Sequence, residues 1–177
     1  EHVNVGAFLH PDEVRPKGKL MMMEPYQRGK TPVIFVHGLA SDPLTWTGLI
    51  NELRGHDWFK QHYQVWVFGY STGRPFLRSA ADFRHECTAA FDALPRGKHD
   101  PALHEAVLIG HSMGGLVAKL QIAHSDAVLW GSFATRPLES LRTDGMIREY
   151  LKELFFFQPL PQVRRVVFIG TPHGGSP

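Results

Sequence analysis

The sequence predicts an α/β fold built on a mostly parallel sheet, and three observations lead there. Four apolar runs, Val33-Ile34-Phe35-Val36, Val65-Trp66-Val67-Phe68, Ala106-Val107-Leu108-Ile109 and Val166-Val167-Phe168-Ile169, show no polar alternation, as expected of strands buried on both faces. Helical apolar periods separate them. Each run closes in a Gly-containing loop (His37-Gly38, Gly69-Tyr70, Gly110-His111, Gly170-Thr171), and ligands of parallel sheets bind beyond these carboxyl ends.

Taken in order, the lead-in to residue 32 is punctuated by Pro11, Pro16, Gly18, Pro25, Gly29 and Pro32 around one apolar segment, Leu20-Met21-Met22-Met23. An edge strand is expected there. The methionine run has no His or Cys beside it, which favours packing over a metal or redox site. After the first buried run, Asp42 is placed to cap a helix with Pro43 at its first position, Trp46, Leu49, Ile50 and Leu53 recur at helical spacing, and Gly55 is a fitting stop. Ala80, Phe83, Cys87, Ala90, Phe91 and Leu94 mark a second helix, and Leu116, Val117 and Leu120 a third. Residues 125–162 break the rhythm: a period of Ile147, Tyr150, Leu151 and Leu154 runs into Phe155-Phe156-Phe157 before Pro159 and Pro161. This segment is expected to be an inserted helical cap. Three consecutive phenylalanines cannot share one helix face, so the cap either packs on the sheet domain or offers aromatic surface to a substrate.

The 177 residues, 43% of them hydrophobic, suffice for one sizeable core, and a single domain over 1–177 is expected. A net charge of +2 with interspersed signs offers no basic run for nucleic acid, and nothing in it supports association with a membrane surface. No apolar stretch reaches the length of a membrane-spanning helix. The single cysteine, Cys87, falls on a helix face with Phe83, Ala90 and Phe91, where a buried, inert thiol is expected. The chain starts at Glu1 and stops at Pro177 just after an apolar strand, and it reads as a processed or partial product whose compartment stays open. No His, Asp and Cys grouping has metal-ligand spacing, no phosphate-cradling loop appears, and no cofactor is expected.

One motif carries chemistry. Gly110-His111-Ser112-Met113-Gly114-Gly115 fits the Gly-x-Ser-x-Gly nucleophile elbow and lies between an expected strand and an expected helix, the context that motif requires. The turn is so tight that Gly110 and Gly114 must lack a Cβ, and Gly115 relieves the approach of the next turn. A serine nucleophile needs two amide donors for the developing oxyanion. Met113 is placed to supply one N–H and Leu39, in the His37-Gly38-Leu39-Ala40 loop, the other. His37 reads as a satisfied loop histidine and not as the general base.

These segments together resemble the N-terminal half of an α/β-hydrolase of the bacterial lipase and esterase type. Pro32 to Leu39 is similar to the oxyanion strand and loop, Gly110 to Gly115 to the elbow, and Val166 to Ser176 to a strand with a Thr-Pro-His-x-Gly-Ser tail. The resemblance implies a partial α/β-hydrolase fold, a carboxylic ester hydrolase working through an acyl-enzyme on Ser112, and a small-molecule or lipid ester as substrate. Thioesterases, amidases and acyltransferases share the elbow, and a non-catalytic module that has kept the shell is the reading from another class.

The family's triad runs Ser, then Asp or Glu, then His. Asp126, Glu139, Asp144, Glu149 and Glu153 lie in the helix and cap region, His124 is expected to face solvent, and His173 follows a strand too early in that order, where it fits a pocket rim. The acid and base are therefore expected beyond residue 177, and the segment alone is expected to be nearly inactive. Its last strand should present an unpaired edge. Trp46 and Tyr70, near the carboxyl ends of strands, are candidates for the acyl pocket or for the core, and Phe155 and Phe156 are candidates for an apolar acyl site.

Overall fold

The computed structural model describes residues 17–94 and 100–175; Pro11, Pro16 and Ser176 lie outside the described residues. Five strands, β1 (Lys19–Met22), β2 (Thr31–Val36), β3 (Tyr63–Gly69), β4 (Ala106–His111) and β5 (Val163–Ile169), form one sheet in the order β1-β3-β2-β4-β5. β1 pairs antiparallel with β3 as the expected edge strand, and every other pair is parallel.

The chain moves outward from β2 to β3 and then returns past β2 to β4, so the direction of winding reverses between β2 and β4. Right-handed crossovers then place the intervening helices on opposite faces. Side-chain alternation along the strands shows this. Val33, Phe35, Val65 and Val67 pack with Trp46, Ile50 and Phe59, which come from a 3-10 turn (Pro43–Trp46), α1 (Thr47–Gly55) and α2 (Asp57–His62). Ile34, Val36, Trp66 and Phe68 pack on the other face with Ala80, Phe83, Cys87 and Phe91 of α3 (Phe76–Ala93) and Val117 and Ala118 of α4 (Met113–Lys119).

Asp42 caps as expected, its Oδ1 accepting the Leu44 N–H at 2.8 Å, but the turn that it caps is 3-10. A 3-10 turn advances the helix phase faster than an α-turn, and Leu49, expected inside, is instead 38% exposed. Gly55 does end α1, yet His56 opens a second short helix that no periodicity announced.

The segment 125–162 contains α5 (Asp126–Gly131) and α6 (Gly145–Phe155), and its apolar residues form a second cluster: Trp130, Ala134, Leu138, Leu151, Leu154 and Phe155 close on Leu77 and Ala81 of α3. Packing on the sheet domain is thus the outcome for the three phenylalanines. Phe155 is buried edge-on between Trp130 and Phe133, Phe156 leans on Trp130, and the Arg84 guanidinium lies 3.9 Å over the Phe157 ring. Burial pushes Arg84 down to about 10, opposed by the Glu153 charge.

A buried ion pair ties distant segments together. Asp82 on α3 accepts Arg74 Nη1 at 2.6 Å and the Gly18 N–H at 3.2 Å on one oxygen, and Arg78 Nε lies 3.2 Å from the other. Arg78 continues to Glu153 of α6 at 3.3 Å. Asp82 therefore holds the loop after β3, the lead-in and, through Arg78, the 125–162 segment. At the far edge β5 pairs with β4 alone, the open edge that was expected, but Val167, Phe168 and Ile169, read as part of a run buried on both faces, are exposed because no element among the described residues covers them.

Replacing Asp82 with Asn removes the buried carboxylate charge that Arg74, Arg78 and the Gly18 N–H share, and denaturant titration should record a loss of about 3 to 5 kcal/mol. Cys87 is fully buried, and burial raises its thiol far above the ordinary value. Iodoacetamide should therefore leave it unmodified in the native protein and alkylate it fully once the chain is denatured; modification under native conditions would contradict the packing.

Candidate active site

The site forms at the carboxyl ends of β2 and β4, the two neighbours between which the winding reverses. Ser112 follows β4 directly, with φ 51° and ψ −124°, a left-handed conformation that a residue with a Cβ adopts at a cost of about 1 to 3 kcal/mol. Its backbone N–H is held by the Ile169 carbonyl of β5 at 2.9 Å. The side chain is half-buried, lifted out of the strand just where α4 begins.

The surrounding glycines explain why the serine can be held there. A Cβ on Gly110 would stand 2.6 Å from the Gly115 Cα. One on Gly114 would stand 2.3 Å from the carbonyl oxygens of both Val36 and His37, and one on Gly115 would stand 1.8 Å from Thr171 Oγ1. Gly110 thus fits the demand of the tight turn. Gly114 has a further reason invisible along the chain: it lets the first turn of α4 press on the end of β2. Gly115 likewise makes room for Thr171, the residue after the β5 turn.

The loop after β2 lies against the serine. A Cβ on Gly38 would stand 3.0 Å from both the Ser112 Cβ and the His111 Nδ1, so the backbone of Gly38 borders Ser112. The next residue, Ala40, has φ 53°, and its N–H reaches Thr72 Oγ1 at 3.3 Å. Leu39 itself is 62% exposed and contributes backbone rather than packing.

His37 is a satisfied buried histidine, as read from the sequence. Its Nδ1 lies 3.1 Å from the Gly38 carbonyl and its Nε2 accepts the Tyr70 N–H at 3.3 Å. Burial lowers its pKa, opposed by the Gly38 carbonyl and the Asp42 charge, and the neutral ring fits this one-donor, one-acceptor pattern. Among the described residues no histidine ring hydrogen-bonds the Ser112 hydroxyl.

Several residues expected at a pocket are elsewhere. Trp46 is 5% exposed in the core against Phe35, with only an edge toward His111 at 6.4 Å between ring centres. Tyr70 is buried in the opposite core, its hydroxyl donating to the His37 carbonyl at 2.7 Å, and burial raises its pKa. Phe155 is buried in the cluster that closes on α3, while Phe156 is half-buried against Trp130 and lines a cavity with Arg84 and Phe157. His173 is exposed and packs edge-on against Phe168 at 4.6 Å, at the end of β5 as its position after that strand suggested. His124 is exposed, Asp144 caps α6, and Glu153 is committed to Arg78, so these have tasks outside the site. Thr171 and Tyr70, which do touch the elbow and its facing loop, were not assigned those contacts by the sequence. A polar residue directly after a strand end was the available signal.

No group of three His, Cys, Asp or Glu side chains suited to a metal occurs among the described residues.

The profile of the alpha/beta hydrolase family matches residues 33–175. Among solved structures, the mature lipase of Bacillus licheniformis aligns at 17% identity and a TM-score of 0.48, covering 90% of this chain and 48% of that one. A lipase-esterase related protein from Clostridium acetobutylicum aligns at 16% identity and a TM-score of 0.44, covering 88% and 47%. A thermophilic esterase from Thermogutta terrifontis, solved with propionate bound, aligns at 12% identity and a TM-score of 0.51, covering 87% and 49%. The chain spans about half the length of these structures. No curated protein matches it.

The glycine geometry makes a paired prediction. Gly114→Ala and Gly115→Ala should each destabilise the protein by about 3 kcal/mol or more, because the obstacles are two carbonyl oxygens in one case and a branched side chain in the other. Gly48→Ala, on α1 with nothing within 4 Å of its Cβ position, should stabilise by up to about 1 kcal/mol. Thermal and urea unfolding of the three variants compare them directly.

Proposed function

The chain belongs to the alpha/beta hydrolase family, and from that premise we propose that it carries the nucleophile and oxyanion side of a carboxylic ester hydrolase acting through Ser112. The observation that carries this reading is the Ser112 backbone at φ 51°, raised between β4 and α4, with Gly38 of the facing loop so close that a Cβ added there would stand 3.0 Å from the Ser112 Cβ. A strained serine packed against a second backbone segment suits attack on a carbonyl whose oxygen needs amide donors from both sides.

In this reading Ser112 Oγ attacks the ester carbonyl carbon as a general base removes its proton. The carbonyl oxygen becomes an anion beside the Met113 and Leu39 N–H groups. Collapse expels the alcohol, which takes the proton back from the base, and water then attacks the acyl-enzyme by the same route to release the acid. We assign the base and its carboxylate partner to the part of the fold that this chain does not span, since the family's order places both later than β5 and no described histidine ring hydrogen-bonds Ser112. A small-molecule or lipid ester is the substrate class. Of the two candidates for an apolar acyl site, Phe155 is not retained, because its ring is buried between Trp130 and Phe133.

A fluorophosphonate should label the native protein that contains these residues, and Ser112→Ala should abolish labelling and lower ester turnover by about 10⁴-fold or more. Labelling that survives the substitution, or a native protein that does not label, would defeat the assignment. Thioesters and amides assayed beside p-nitrophenyl esters separate the related acyl-transfer activities.

A further inference from the structure

We propose that Tyr70 is a positioning residue for the oxyanion donor on the β2 side, acting through His37 on the Leu39 N–H; the proposal rests on Ser112 being the nucleophile.

The argument starts from how a peptide plane is fixed. The C=O of one residue and the N–H of the next lie in one rigid plane and point in opposite directions, so holding the oxygen orients the hydrogen. The donor assigned to the oxyanion is the N–H of Leu39, whose plane carries the carbonyl of Gly38. That carbonyl accepts from His37 Nδ1 at 3.1 Å. The orientation of Leu39 N–H is therefore set by the imidazole of His37. It is set by a side chain, since neither strand ladder reaches beyond Val36 on β2.

Tyr70 in turn holds the imidazole at two points and the backbone of His37 at a third. The Tyr70 N–H donates to His37 Nε2 at 3.3 Å, the Tyr70 ring stacks on the imidazole at 4.4 Å with 22° between planes, and the Tyr70 hydroxyl donates to the His37 carbonyl at 2.7 Å. Rotating His37 would leave the Tyr70 N–H and the Gly38 C=O without partners in a buried place. The hydroxyl bond adds a second plane: it fixes the His37 carbonyl, the same oxygen that Gly114 of α4 approaches so closely that no Cβ fits between them. Tyr70 thus grips two successive peptide planes of the loop, and its grip meets the elbow through Gly114. Phe68 stacks behind Tyr70 at 5.4 Å and Phe83 behind Phe68 at 4.5 Å, so the ring is braced by the core. Packing alone would be served by phenylalanine at this position. The hydroxyl is what packing does not require.

The test is Tyr70→Phe in the native protein, read by the rate of ethoxy-fluorophosphonate labelling, by kcat and KM on p-nitrophenyl butyrate, and by amide hydrogen exchange at Gly38 to Ala40. The expected result is a labelling rate and kcat each lower by about tenfold, the rate equivalent of one lost hydrogen bond in a preorganised site. KM should stay within about twofold, and exchange at Leu39 should quicken. A merely structural tyrosine would change the melting temperature and leave the kcat-to-KM split and the Leu39 exchange untouched. Equal labelling rates, kcat and Leu39 exchange in the two proteins overturn the proposal while leaving Ser112 as nucleophile. A native protein that does not label overturns both readings together. If Tyr70→Phe fails to fold, as its melting curve would report, His37→Gln carries the same test, since glutamine can accept the Tyr70 N–H but lacks the ring nitrogen that reaches Gly38.

Discussion

The first turn of α4 presses on the ends of β2 and β5 more closely than any side chain allows. Gly114 touches the Val36 and His37 carbonyls, Gly115 touches Thr171, and Gly110 passes under Gly115. This crowding is what turns a strand into an elbow. Without it α4 would stand further from the sheet, the Ser112 φ would relax toward the ordinary region, and the hydroxyl would move away from the β2 loop. The strain stored at Ser112 persists because its neighbours over-determine it: the Ile169 carbonyl fixes its N–H from β5 and the β2 loop closes the other side.

Strand order supplies the place for that crowding. Winding that reverses between β2 and β4 leaves the carboxyl ends of those two strands side by side with no helix crossing between them, and the Gly38-Leu39 loop and the Ser112 elbow follow those two strands. The rest of the sheet works as a platform. β3 contributes Tyr70 from its end, β5 contributes Ile169 and Thr171 from its own, and the aromatic ladder Tyr70, Phe68, Phe83 transmits the rigidity of the core to the loop.

What the sequence disclosed follows from what is local. The buried strands were legible because a run such as Val33 to Val36 has one physical explanation, and the elbow because its glycines sit within five residues of each other. Asp42 was legible as a cap for the same reason, its oxygen reaching only two residues ahead. What stayed hidden depends on partners far along the chain. Trp46 and Tyr70 look identical from the sequence whether they line a pocket or fill a core, since the decision belongs to Phe35 in one case and His37 in the other. The Phe155 to Phe157 run announced apolar surface without saying that α3 would cover it. Asp82 sits on a helix where acids are ordinarily solvated, and only the return of Gly18 and Arg74 shows it to be buried and paired. Leu49 was misplaced by a subtler cause, a 3-10 turn whose phase the α-helical period does not anticipate.

The burial of Asp82 bears on the site although it lies away from it. A buried ion pair is a poor source of stability, because desolvation offsets much of the attraction, but it is directional and punishes misplacement. Here it fixes Arg74, four residues beyond Tyr70, and so anchors the far end of the loop whose near end grips His37. The segment from Gly69 to Arg74 is thereby pinned at both ends, by a tyrosine hydroxyl on one side and a guanidinium on the other. A loop left free between β3 and α3 could not hold a neighbouring peptide plane to the fractions of an ångström that oxyanion stabilisation demands. The polar burial that the core tolerates around Asp82 is, on this view, spent on orientation, and the oriented object is the amide beside Ser112.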